Sequence, residues 1–365
     1  MEERRLFIIA LGFAILFASY SIARAYVLST TDNYDIDLVI FSESLRTTIQ
    51  GHFFFNEWEW KTWGAWSHFG VHNSPILFLL LPTYLLYPSM YTLLVIQAFA
   101  VAFASIILFK LAQEVLNDEK KAFIVSFAYL LNPLTHGLIR YGFHPSVLGV
   151  PFMFLFAYFM EKGELKKAAI ASILVLSAKE DAGLFLIAYA LFMVLRKHGF
   201  KIRDWWSEKT ALGFAALGAI WIVVSVFVVI PQFNIYHAYP YFQLYRTSAS
   251  RYLIIALAKL FITFFSVAFV PIKPKYSIPV IFLWLENAFS MRISQAVIGF
   301  HYDYMMLPML FIVLIYALKE QNTKIELLLS SAVISLLFSP LFGLRDFFPI
   351  VVVDRFSTIL KILWG

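Results

Sequence analysis

Four short stretches of the chain carry side chains able to do chemistry. Asp35-Ile36-Asp37 sets two carboxylates one residue apart, a spacing that can chelate a hard divalent cation or supply a general base. Lys179-Glu180-Asp181 puts three ionisable groups in a row between apolar runs. His72 and His144 each precede an apolar run, in His72-Asn73-Ser74-Pro75 and Phe143-His144-Pro145. There an imidazole can donate to a phosphate beside the positive end of a helix, or it can simply cap that helix. Other polar groups accompany them: Asp32, Glu43, Glu57, Glu59 and His68 early in the chain, Arg140-Tyr141 before His144, and His301-Tyr302-Asp303 late. Trp58, Trp60, Trp63 and Trp66 sit among the early acids and either stack on sugar faces or form an interfacial belt.

The elements that must position these groups are apolar. The chain is 61% hydrophobic and only 14% charged, against roughly a quarter charged in a soluble domain, so a membrane protein is expected. Cysteine is absent, which removes disulfides, thiolate catalysis and thiolate-held metals. The net charge of +6 does not point to nucleic acid, because the basic residues lie in short clusters between apolar runs, where they set topology.

The spacing predicts an all-α, polytopic membrane helix bundle of about eleven spans. The first covers Leu6–Val27, behind Arg4 and Arg5, which hold the N-terminus in the cytoplasm. Ala23-Arg24-Ala25 has the form of a signal-peptide cleavage site. The apolar stretch nevertheless runs on to Leu28, so an uncleaved helix is expected. A large outer loop with a surface helix then fills residues 28–88, within a single transmembrane domain over 1–345. The apolar tail, 346–365, is expected to be interfacial or a last span.

Ser74–Tyr87 decides the parity of the count. Its apolar run is only ~21 Å long as a helix, short of a ~30 Å hydrocarbon core. Taken as a helix lying on the outer surface, it leaves the clusters Glu114–Lys121 and Arg196–Lys209 on the same side as Arg4, as the positive-inside tendency requires. The acids, histidines and tryptophans above then share the non-cytoplasmic face of a cell membrane.

The Lys179-Glu180-Asp181 turn is expected below that face, since the apolar runs flanking it are short. Each ion there costs at least ~2.5–3.5 kcal/mol unless paired or solvated. The turn therefore implies a polar cavity, or a local Lys–Asp pair at a helix junction. Arg246, Arg251 and the aromatic run Tyr236–Tyr245 suit a lipid headgroup or a plain interfacial anchor. Lys259 lies mid-span and is expected to face the interior.

These motifs resemble a known family. Asp37-Leu38-Val39-Ile40-Phe41 with Leu45, then His72-Asn73-Ser74-Pro75 running to Pro82 and Tyr84, Phe143-His144-Pro145, Lys179-Glu180-Asp181 and His301-Tyr302 are similar, in that order, to the signatures of the multi-span proteins called domain of unknown function 2079. Ser42-Glu43 departs from its pattern. The layout further resembles the C-type glycosyltransferases, which take a sugar from a polyprenyl-phosphate carrier.

That resemblance implies a transferase using a polyprenyl-phosphate-linked sugar and a membrane lipid. Asp37, with Asp35, would deprotonate an acceptor hydroxyl. His72, Arg140, His144 and Lys179 would meet the phosphate, while Glu180, Asp181, His301 and Tyr302 would orient the substrate. A divalent ion on Asp35 and Asp37 is compatible with it. A lipid or solute transporter, or flippase, and a non-catalytic scaffold are the competing readings. Transport is disfavoured by the absence of an internal repeat and by ionisable groups gathered toward one face.

Overall fold

The computed structural model describes residues 1–30, 35–245, 252–321 and 324–341. Asp32, Arg246, Arg251 and the tail 346–365 lie outside the described residues. Among those described there is no strand, only one isolated antiparallel bridge between Ala65 and Asn234.

The chain begins with α1 (Glu2–Ser29), then α2 (Ile36–Ile49), α3 (Glu57–Trp63) and, after a 3-10 segment at Pro75–Leu80, α4 (Leu81–Leu86). Next come α5 (Met90–Leu116), α6 (Glu119–Leu131), α7 (Pro133–Arg140), α8 (Val150–Glu161), α9 (Leu165–Leu176) and α10 (Gly183–His198). The second half holds α11 (Ile202–Trp205), α12 (Lys209–Val224), α13 (Ile230–Gln232), α14 (Leu253–Phe265), α15 (Pro274–Ala288), α16 (Ile293–Ala296), α17 (Met306–Glu320) and α18 (Ile325–Ser335).

Among the described residues, four helical stretches are long and apolar enough to cross a membrane alone: Glu2–Ser29, Met90–Leu116, Lys209–Gln232 and His301–Glu320. The pair α6 and α7 makes a fifth if taken together, bent by 44°. The cause of the bend is local. Asn132 accepts a hydrogen bond from the Leu134 N–H and so caps α7, and Pro133 starts that helix without a donor. The other apolar helices are shorter, so the eleven expected spans exceed what helix length alone supports.

Burial sorts the helices into centre and rim. In α17 every residue from Met306 to Leu318 is buried, as expected for a helix that is apolar on all sides. By contrast α12 buries only Ala211 and Gly218, and its exposed Ile220, Val223 and Val224 form a lipid-compatible surface. Gly218 meets Gly183 of α10 so closely that a Cβ on either would strike the other's backbone carbonyl. Small residues here let two helices touch where lipid gives no hydrophobic drive.

The two ends of the bundle differ. At one end the Met1 amino group meets Glu119 at 2.9 Å, Lys197 meets Glu208 at 2.7 Å, and Lys275 pairs with Glu320. Nearby, Tyr316 donates to Glu161 at 2.5 Å beneath the Arg196 guanidinium. The opposite end carries the segment from α2 to α4, fastened to the start of α5 by a second apolar cluster that includes Leu38, Phe41, Leu45, Tyr84, Leu93 and Phe143.

Candidate functional site: a polar cavity between α2, the α9–α10 turn and the start of α17

Asp37 sits in the first turn of α2, and Phe41 follows four residues later on the same face. The Asp37 carboxylate is 36% exposed, and its Oδ2 lies 3.2 Å from His144 Nε2. Both line a cavity of about 170 Å³ together with Lys179, Asp181, His72, His301 and Tyr302. Seven of the ten side chains singled out from sequence therefore converge, from segments as distant as residues 37 and 302. Burial works against the charge on Asp37, but the His144 hydrogen bond and the nearby positive charge of His144, His72 and Arg292 outweigh it. The carboxyl is held below its ordinary value of 3.8.

The turn that carries His144 is fixed from α5. Gln97 accepts from the His144 N–H at 2.8 Å and donates to the carbonyls of Gly142 at 2.9 Å and Leu138 at 3.1 Å. Gly142 has φ +53°, and a Cβ there would collide with the Asp35 carboxylate, so both conformation and space demand glycine. Tyr141 stacks beside His144. Burial, and then the charge of Asp37 and Asp35, pushes the Tyr141 hydroxyl up to about 12, which keeps it a donor.

Lys179 and Asp181 form the local pair that their spacing allowed, Nζ to Oδ2 at 2.6 Å, and both still line the cavity. Asp181 also accepts from the Tyr304 hydroxyl. Three expected site residues stand elsewhere. Glu180 is buried beneath the wall, where its carboxylate binds His72 Nδ1 at 2.7 Å, the Asn73 N–H at 3.1 Å and the Tyr239 hydroxyl at 3.1 Å. It positions His72 and does not reach the cavity. Asp35 is buried at the start of α2, 2.8 Å from Arg24 of α1, so it anchors that helix. Arg140 ends α7 and is absent from the lining.

The donor set does not suit a divalent ion on Asp35 and Asp37. Asp35 is taken by a guanidinium, and Asp37 faces an imidazole. Among the described residues no group of three or more His, Asp or Glu is placed to hold a metal ion.

Several lining residues were not singled out as site residues from sequence. Trp58 and Trp63 line the cavity, whereas the exposed Trp60 and Trp66 do not. Tyr239 and Tyr241, expected at an interface, instead close one side, with Tyr241 stacked on His72 at 5.0 Å and Arg292 over its ring at 5.0 Å. Glu286 also lines the wall. Its sequence signal was a lone acid in an apolar run, which is functional by default. Glu59 and His68 belong to the wall as well. Lys259 faces the interior and is paired at 2.8 Å with Asp303, two residues after His301.

A helical membrane protein with a charge-rich cavity toward one end of its bundle is the class this geometry defines. Residues 24–359 match the family model described as a predicted membrane protein, DUF2079, and the chain belongs to that family. No curated relative and no solved structure matches it.

Proposed function

We propose that the cavity transfers a sugar from a polyprenyl-phosphate carrier to an acceptor hydroxyl on the non-cytoplasmic face of the cell membrane. The observation that carries this reading is the presence, in the lining of one small cavity, of an ionised acid, Asp37, and two cations, Lys179 and Arg292, beside aromatic side chains. Asp37 accepts a hydrogen bond from a hydroxyl of the sugar and holds the anomeric carbon in line for the acceptor. Lys179 and Arg292 meet the negative charge that gathers on the departing phosphate, in surroundings where such charge is otherwise costly. Trp58, Trp63 and Tyr241 offer faces for the sugar ring. The cavity is smaller than the roughly 300–1,000 Å³ of a drug-sized pocket, which suits the reacting sugar with its lipid tail outside.

Orientation follows from charge. The end opposite the cavity gathers Arg196, Lys197 and Lys275, which favours the cytoplasm for that end and for the N-terminus. In this reading the shorter helices complete a bundle of about eleven crossings around the long ones.

The test is purified protein in lipid nanodiscs, supplied with polyprenyl-phosphate-linked sugars, with product read by mass spectrometry. Transfer that is lost in folded Asp37→Asn and in Lys179→Met supports the reading. Flux of these lipids across liposomes without covalent transfer overturns it.

A further inference from the structure

Two acid–imidazole pairs face the cavity on either side of Phe41, whose ring lies edge-on to His68 at 4.9 Å and to His144 at 6.2 Å. The first pair is Asp37–His144. The second, Glu59–His68, has no part in the reading above.

Glu59 is held rigidly. Its oxygens lie 2.9 and 3.2 Å from His68 Nδ1, Asn56 Nδ2 donates to it at 2.6 Å, and its own N–H caps onto Asn56 Oδ1 at 2.8 Å. An ionised carboxylate on Nδ1 makes that nitrogen the donor and leaves the lone pair on Nε2. His68 Nε2 is buried, has no hydrogen-bond partner, and belongs to a residue of the cavity wall. Trp63 Nε1, His144 Nδ1, Gln295 Oε1 and His301 Nδ1, all on lining residues, are likewise buried without partners. Each such atom costs about 1–3 kcal/mol, so their concentration around one space marks where a ligand rich in hydroxyl groups would supply the missing partners.

We infer that His68 is the catalytic base of this cavity and Glu59 its positioning residue. The inference rests on the transferase reading. The acceptor O–H bond breaks and its proton passes to His68 Nε2. The oxygen forms its bond to the anomeric carbon, and the bond from that carbon to the phosphate oxygen breaks with its electron pair left on the phosphate. Glu59 then balances the imidazolium. Asp37 is a poor proton acceptor by comparison, being hydrogen-bonded to His144 and held below the usual carboxylate range, whereas an imidazole is matched to neutral pH. Glu59 from α3 and His72, its ring 5.9 Å away, lie against His68, and the other titratable or charged groups lining the same cavity are Asp37, His144, Lys179, Asp181, Glu286, Arg292 and His301.

The experiment measures kcat and KM across the histidine range with the same nanodisc-embedded chain and polyprenyl-phosphate glucose. His68→Asn lowers kcat about 10²–10⁴-fold with KM nearly unchanged. Glu59→Gln moves the acid limb of the profile to lower pH, because the imidazolium loses its counter-charge. Wild-type kcat in folded His68→Asn, or an unmoved limb in Glu59→Gln, overturns the assignment.

If the unaltered chain transfers none of the sugars tested, the transferase reading falls, and the pair is still judged by ¹⁵N NMR of histidine-labelled protein. The signal that disappears in His68→Asn then shows the Nδ1–H tautomer, titrates, and shifts in Glu59→Gln. A His68 signal that fails any one of these three overturns the pair.

Discussion

His144 and His301 lie face to face, with ring centroids 3.4 Å apart and planes 18° from parallel. Two segments far apart in sequence are thus locked ring on ring in the lining of the cavity, and repulsion at that distance allows the stack one positive charge at most. The contact joins the turn clamped by Gln97 to the start of the most buried helix. His144→Phe preserves an aromatic stack on His301 and removes the hydrogen bond to Asp37 together with the partnerless Nδ1. We expect this variant to unfold near the wild-type temperature while transfer drops by about 10²-fold, in line with the loss of a positioned acid–base partner. A melting curve and a turnover assay on the same preparation check it.

Asp37 gives a second prediction, in pH. Its carboxyl is depressed below 3.8 in the folded chain, so the folded state binds that proton less readily than the unfolded one does. Its contribution to stability is then complete above the ordinary carboxylate value and is lost as pH falls through the lower folded one. Asp37→Asn should remove this share of the acid sensitivity. Thermal unfolding of both proteins from neutral pH downward should show the two curves converging at the acid end.

How much of this was legible in advance depends on the kind of constraint. Asp37, His72, His144, Lys179, Asp181, His301 and Tyr302 are polar groups flanked by apolar runs, and polar groups in such places must find one another. Asp35 and Glu180 share the same signal but spend their charge on Arg24 and His72. Spacing cannot tell a carboxylate that faces a ligand from one that braces a neighbour. Tyr241 and Trp63 were hidden for another reason, since aromatic residues near a membrane suit an interface as well as a cavity wall. The divided helices were legible only in part. Asn132-Pro133 announces a break, but the 3-10 turns at Pro145–Gly149 and Glu180–Ala182 depend on tertiary contacts such as the Gln97 clamp.

That clamp supplies a third prediction. Gln97 is buried and serves three backbone groups at once. Gln97→Met keeps the volume and leaves all three without that partner, each worth about 1–3 kcal/mol if left unsatisfied. Gly142→Ala attacks the same turn through a left-handed conformation, worth about 1–2 kcal/mol, and through collision with Asp35. Both variants should melt well below wild type. Gly142→Ala should in addition loosen the Asp35–Arg24 pair, so its deficit should shrink in an Asp35→Ala background. Equal deficits in both backgrounds would count against that contact.

The last prediction concerns Lys259 and Asp303, whose side chains are 1% and 2% exposed and 2.8 Å apart. Lys259 also donates to the Gln295 carbonyl at 2.5 Å, and Thr263 donates back to the Lys259 carbonyl at 2.8 Å. The pair lies behind the wall formed by Gln295 and His301 and does not line the cavity, so its work is to hold α14, α16 and the start of α17 in register. Removing one partner strands the other charge in a dry interior, at a cost of about 3–5 kcal/mol. Lys259→Met and Asp303→Leu should each lower stability by that order. The double variant removes both charges and should recover most of the loss, because a well-packed apolar replacement of a buried pair is often neutral or better. A double-variant cycle by thermal or denaturant unfolding in detergent measures this coupling. Additive losses would mean that the two charges are solvated separately and that the register of α17 is set by its apolar packing alone.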